Sequence, residues 1–398
     1  MRRFYDDEGM NFAVLISLGS AYANTTDVGE TLATIERVPE GDREAWVKEW
    51  TATAHRLAKQ ADESRAGGHT VSARTKLLRA STYYDHASAM SPGTKDPSRF
   101  TSLWEHHRDC WDRAVDIFEC PVEQVHIPYE DTTLEGYLFT PDGDTTAPRP
   151  TVILNNGSDG PVVSQWSLGG RAAIARGFNA ITFDGPGQGA ALHRQNLYFR
   201  ADWEHVITPV VDWLLTRPEV DADRIALQGV SQGGYWAPRA AAFEHRLAAL
   251  VADPGVMRVA SSWEAHLPKE LVQLIDDGNQ GDFDALMGAN PNQQQQAMLE
   301  WRMAPYGVTS YYDAYVAARA MTLDAATVEQ IECPTLVLDP DHEQFWPGQS
   351  KQFFDTLTCE KQLARFVTED GADWHCEPAA QSLRDEVVFD FLETVFAR

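Results

Sequence analysis

Residues 1–119 place apolar side chains at three- and four-residue steps, the period of amphipathic helices. One stripe runs through Trp46, Trp50, Ala54 and Leu57 behind Asp42, a residue suited to capping a helix. A second runs from Thr70 through Ala73, Leu77, Ala80, Tyr84 and Ala87 to Met90, and Pro92-Gly93 stops it. A third, Pro97 to Phe118, carries Trp104, Trp111 and Val115. The spacing predicts a helical domain over 1–119. At Pro121 the period becomes two: Val122–Tyr129 and Leu134–Thr140, joined by the Asp131-Thr-Thr turn, predict an antiparallel hairpin. Beyond the surface loop Asp142–Pro148, short apolar runs alternate with helical patterns. The runs are Thr151–Leu154, Ala180–Phe183, Ile225–Leu227, Leu247–Ala252, Pro334–Leu338 and Leu363–Val367, followed by a helix Leu383–Phe396. Such alternation predicts an α/β domain over 120–398 with a mostly parallel, doubly wound sheet. The alternation lapses over 255–330, which reads as a helical insertion at a strand's carboxyl end, where a lid would lie.

Bulk properties narrow the classes. A chain of 398 residues can bury a core large enough for one α/β domain and a smaller partner domain. With 33 basic against 59 acidic residues, net charge −26, and no basic stripe, it does not suit a nucleic-acid partner. The five cysteines are scattered and lack metal-ligand spacing, so neither a metal nor a cofactor is expected and a reduced, cytoplasmic setting is. The apolar stretch Phe12–Leu18 is too short for a membrane span or signal peptide, so no membrane association is expected. Its apolar face offers a contact for a homodimer.

The chemistry gathers at Gly229-Val-Ser231-Gln-Gly233, between the run Ile225–Leu227 and a helix of small residues. Strand, sharp turn and helix make a nucleophile elbow, in which side chains at positions 229 and 233 would collide as strand and helix close up. A serine hydroxyl becomes nucleophilic when a histidine takes its proton and a carboxylate orients that histidine. In α/β-hydrolases the chain order is serine, acid, histidine. The acid is expected after the strand ending at Leu338, within Asp339-Pro-Asp341-His-Glu343-Gln-Phe-Trp-Pro347. Counted from Pro347 it falls on Glu343, with Asp341 as the alternative. The histidine is expected after the last strand, and of twelve histidines His375, in Gly371-Ala-Asp-Trp-His375, has that placement. A developing oxyanion needs two backbone N–H donors. Gln232 supplies one, and Ser158, or alternatively Asp159, in Asn155-Asn-Gly157-Ser158-Asp159-Gly160 supplies the other. Asp159, Trp236 and Tyr84 are candidates for the substrate pocket. Asp184-Gly-Pro-Gly-Gln-Gly189 lacks the Lys-Ser/Thr of a phosphate loop and reads as a strand-end turn.

Phe183-Asp-Gly-Pro-Gly-Gln-Gly189, Phe199-Arg-Ala-Asp-Trp203 and the elbow Gly-Val-Ser231-Gln-Gly-Gly-Tyr-Trp-Ala-Pro-Arg together resemble the α/β-hydrolases that carry an N-terminal helical domain. That group includes dihydroxypseudooxynicotine hydrolase and polyketide-shortening hydrolases of fungal pigment pathways. Trp46, Trp50, Ser72, Ala73, Arg74 and the Tyr83-Tyr84 pair extend the likeness into the leading segment. The resemblance implies an α/β-hydrolase fold, a pocket between helical domain and sheet, and Ser231, Glu343 and His375 at the triad positions. Glu343 departs from the family's usual aspartate. It also implies attack by serine on a carbonyl of a small aromatic or polyketide-like substrate, cleaving a C–C bond beside a ketone or an ester. Two other readings stand beside it: elimination of an acyl or acetate group with His375 as base, and a hydrolase-like scaffold that binds without catalysis.

Overall fold

The computed structural model describes residues 3–398; residues 1 and 2, at the head of the 1–119 segment, lie outside the described residues. Five helices come first: α1 (Glu8–Ser20), α2 (Val28–Ile35), α3 (Arg43–Ala66), α4 (Thr70–Met90) and α5 (Arg99–Val115). Asp7, Asp27 and Asp42 each accept a hydrogen bond from the backbone N–H three residues on, closing the first turns of α1, α2 and α3. The stripes of α3, α4 and α5 meet in an aromatic core in which Trp46, Trp50, Tyr83 and Trp111 are fully buried.

The periodicity did not reveal α1. Its sequence is apolar round most of its girth, so no single stripe stands out, and such a helix is stable only when it is covered. Met10, Val14 and Leu15 are buried within the chain. Phe12 meets the rings of Phe345 and His375 at 6.1 and 6.2 Å. Of the stretch Phe12–Leu18, where a dimer contact is expected, Val14 and Leu15 are thus turned into this chain's own interior.

Eight strands form one sheet in the order β1-β2-β4-β3-β5-β6-β7-β8. They are β1 (Val122–Tyr129), β2 (Thr132–Phe139), β3 (Arg149–Asn155), β4 (Asn179–Phe183), β5 (Val220–Val230), β6 (Ala249–Asp253), β7 (Thr335–Pro340) and β8 (Lys361–Phe366). The hairpin β1–β2 is antiparallel, β2 pairs antiparallel with β4, and every other pairing is parallel. Both faces of the sheet are covered, which explains why β3 to β6 read as continuous apolar runs. Short helices between Ala260 and Val328 fill the interval between β6 and β7. Among the described residues no helix is long and apolar enough to cross a membrane.

A buried arginine joins the helices to the sheet. Arg108 of α5, 1% exposed, reaches Asp184 after β4 at 2.6 Å, Glu135 on β2 at 3.1 Å and Asp112 at 3.3 Å. An arginine so deeply buried is tolerable only because carboxylates surround its planar fork.

Candidate active site

The elbow forms where β5 runs into the helix Gly233–Ala241. Ser231 sits at φ 58°, a left-handed conformation that costs a non-glycine residue energy and persists because its surroundings hold it. Its N–H donates to the Asp253 carbonyl at 2.6 Å and its carbonyl accepts from Gly234 N–H at 2.8 Å. A Cβ on Gly229 would lie 2.1 Å from the Gly233 carbonyl oxygen, so only glycine lets strand and helix approach this closely.

Three side chains form a continuous line. His375 Nε2 lies 2.9 Å from Ser231 Oγ, and His375 Nδ1 lies 2.8 and 3.0 Å from the two oxygens of Glu343. Glu343 Oε1 also accepts the N–H groups of Phe345 at 2.8 Å and Trp346 at 3.1 Å. Burial pushes the Glu343 carboxyl up, but the attraction and hydrogen bond of His375 and these two N–H groups outweigh it and hold the group below its ordinary range. Burial likewise opposes an imidazolium at His375, yet the charge and hydrogen bond of Glu343 prevail and raise its pKa above 6.5. The rings of Phe345, Trp346 and Phe12 pack about the imidazole at 4.7, 5.7 and 6.2 Å and leave it 3% exposed. The alternative acid, Asp341, is not in this line: it pairs with Arg365 on β8. His342 lashes the acid loop to the histidine loop, its Nδ1 2.7 Å from Asp373 Oδ2 and its N–H 2.7 Å from the Asp373 carbonyl.

The loop 155–160 lies against the serine. A Cβ on Gly157 would stand 2.8 Å from Ser231 Cβ. The Gly157 N–H is taken by Asn156 Oδ1 at 2.8 Å, whereas the N–H groups of Ser158, Asp159 and Gln232 have no acceptor among the described residues. Gln188, in the turn Asp184–Gly189, donates to the carbonyls of Asn156 at 3.0 Å and Gly157 at 2.7 Å. That turn thus braces the loop facing Ser231, a role that spacing alone did not disclose.

Beside Gln232 and Ser158 opens a cavity between the leading helices, the insertion and the carboxyl edge of the sheet. Asp159 is among the residues that line it. Two of the expected pocket residues are not. Trp236 is fully buried, stacked on Trp203 at 4.3 Å and hydrogen-bonded to the Arg200 carbonyl, because the elbow helix turns that face toward the layer beneath. Tyr84 stacks on His106 at 5.1 Å between α4 and α5, and its neighbour Asp85 lines the cavity instead. Aromatic walls come from Phe100 and Trp104 on α5, Phe199, and Trp263, Trp301 and Tyr306 of the insertion.

Known proteins share this architecture. Residues 20–269 match the family described as FrsA-like, esterase FrsA-like. The chain is 37% identical to hydrolase acrC of Aspergillus aculeatus over 259 residues, 61% of this chain and 60% of that one. It is 33% identical to hydrolyase poxO of Penicillium oxalicum over 383 residues, 90% of this chain and 89% of that one. The crystal structure of 2,6-dihydroxy-pseudo-oxynicotine hydrolase superposes with a TM-score of 0.74 at 21% identity, covering 95% of each chain, which speaks to the fold. The chain is an enzyme of the α/β-hydrolase fold and belongs to the FrsA-like esterase family.

Proposed function

We propose that this hydrolase works through a serine triad, with Ser231 as nucleophile, His375 as general base and Glu343 as the carboxylate that orients the imidazole. Ser231 Oγ adds to a substrate carbonyl as its proton passes to His375 Nε2, and Glu343 steadies the imidazolium. The oxyanion that forms points at the N–H of Gln232 and, from the facing loop, that of Ser158. Collapse expels an alkoxide, or the stabilised enolate of a cleaved β-dicarbonyl, which takes the proton from His375. Water activated by the same imidazole then hydrolyses the acyl-serine. The aromatic lining of the cavity favours a small aromatic or polyketide-like acyl compound.

One observation carries the reading: the line from Ser231 Oγ through His375 to Glu343, at 2.9 and 2.8 Å. The expected outcome is covalent labelling of wild type by a fluorophosphonate, with the adduct mapped to Ser231 by peptide mass spectrometry. Ser231→Ala takes no label and loses ester turnover by on the order of 10⁴-fold or more. Undiminished turnover by that variant sinks the assignment.

A further inference from the structure

Asp85 is an unusual residue for the place it occupies. It sits one turn short of Ser88 and Ala89 on α4, and these three present one helix face to the cavity. Its carboxyl makes no hydrogen bond or ion pair among the described residues, while the neighbouring Arg108 is spent on Asp184, Glu135 and Asp112. Asp159, on the loop beside Ser231, lines the same cavity and acts on Asp85 through its charge. Burial, with the Asp159 carboxylate adding to it, pushes the Asp85 carboxyl up to about 8. A carboxyl in that condition is largely a neutral acid at pH 7, with one O–H to give and a carbonyl oxygen to receive. The same cavity is lined by Trp104, Phe100, Trp301 and Phe199, flat surfaces for a ring, and by Gln232, the residue after Ser231.

A bare acid among aromatic walls is costly unless something hydrogen-bonds to it. The Asp159 carboxylate on the same cavity repels an anionic ligand. A site built for a cation would gain from an ionised acid, which burial here opposes. What fits is a neutral ligand whose ring bears a hydroxyl. We propose that Asp85 is a specificity-determining residue, anchoring a ring hydroxyl of the substrate within the aromatic-lined cavity beside Gln232 and Ser158. This rests on the serine-nucleophile reading for its turnover measurement, and a binding measurement makes the two separable.

The experiment compares kcat/KM for 2-naphthyl acetates carrying hydroxy, methoxy, aminomethyl or carboxylate groups at ring position 6. The hydroxy ester should exceed the methoxy ester by about tenfold, as expected for one well-placed hydrogen bond, with the carboxylate poorest. In Asp85→Leu, with Asp85→Ala as a second variant and thermal melts to check folding, the hydroxy preference should shrink to within about threefold. Equal use of hydroxy and methoxy esters by wild type, or an unchanged preference in folded variants, overturns the proposal. So does a preference for the aminomethyl ester that depends on Asp85, which would make this a cation site. If no ester is turned over, the Ser231 reading is judged by the fluorophosphonate label and Asp85 by binding alone. Naphthalene-2,6-diol should then bind wild type about tenfold more tightly than 6-methoxy-2-naphthol, and the variants should bind both alike; the same affinities in wild type overturn the proposal.

Discussion

Glu343 reaches one methylene further than aspartate, and the loop after β7 absorbs the difference by drawing its carboxylate back onto the N–H groups of Phe345 and Trp346. Its charge keeps His375 a better base than burial alone would allow. The sign of the pH dependence follows. The imidazole must be neutral to accept the serine proton, and its pKa is raised above 6.5, so kcat/KM should climb with pH along a limb centred above that value. Glu343→Gln removes the largest raising influence and leaves only the weaker pull of Asp253 and Asp159 against burial, so the limb should move to lower pH while kcat falls on the order of 10⁴-fold through loss of the correct tautomer. A pH–rate profile of both proteins checks this; a limb that stays in place would detach Glu343 from the imidazole. Ser231 and His375 were legible because each is tied to a motif with a fixed place in the strand order. Glu343 and Asp341 could not be separated with the same assurance, since both lie in one loop and only the Arg365 partner, remote in sequence, draws Asp341 away. Asp85 left no such mark. It follows Tyr84 in a helix rich in small and aromatic residues, and nothing local shows that its face meets a cavity.

At the scale of elements, the loop 155–160 is held from two sides, by Gln188 from the turn after β4 and by Ser231 itself. Gly157→Ala should force its new Cβ against the nucleophile, since the two carbons would stand 2.8 Å apart and neither backbone is free to retreat. The expected outcome is a fall of at least about a hundredfold in kcat, with the melting temperature lowered by only a few degrees. Steady-state kinetics beside a thermal melt distinguishes this from general unfolding. Strands and long helices were readable because burial on both faces, or one, leaves an apolar run or stripe. The extents of other helices inside the segments read as helical were not: α1 hides its period, and the short helices of the insertion are too brief for a period to fix their ends. The purpose of Asp184–Gly189 was hidden for another reason, because its partners are carbonyl groups, which every residue has.

Across the whole molecule, the cavity is assembled from α4, α5, the loop after β3, the turn after β4 and the insertion, segments far apart along the chain. The doubly wound sheet could be read from the alternation of runs, but no pattern within one segment encodes which side chains meet across such gaps. The same distance governs α1. Gly19 packs so tightly that a Cβ there would fall 1.8 Å from the Pro378 carbonyl oxygen, and Gln381 Nε2 bonds Ser20 Oγ at 3.3 Å. Gly19→Val should therefore disturb the loop carrying His375, lowering kcat more than KM changes and costing roughly 1–3 kcal/mol of stability by overpacking. Denaturant unfolding with parallel kinetics tests it; full activity would mean that the helix merely touches the loop.

The meeting of α1 with the segment 375–381 has a consequence for biosynthesis. During translation the elbow at 229–233 emerges well before the imidazole at 375, and that imidazole finds its seat only when the segment 375–381 returns to a helix made much earlier. On the proposed mechanism, a chain halted before residue 375 holds an inert hydroxyl.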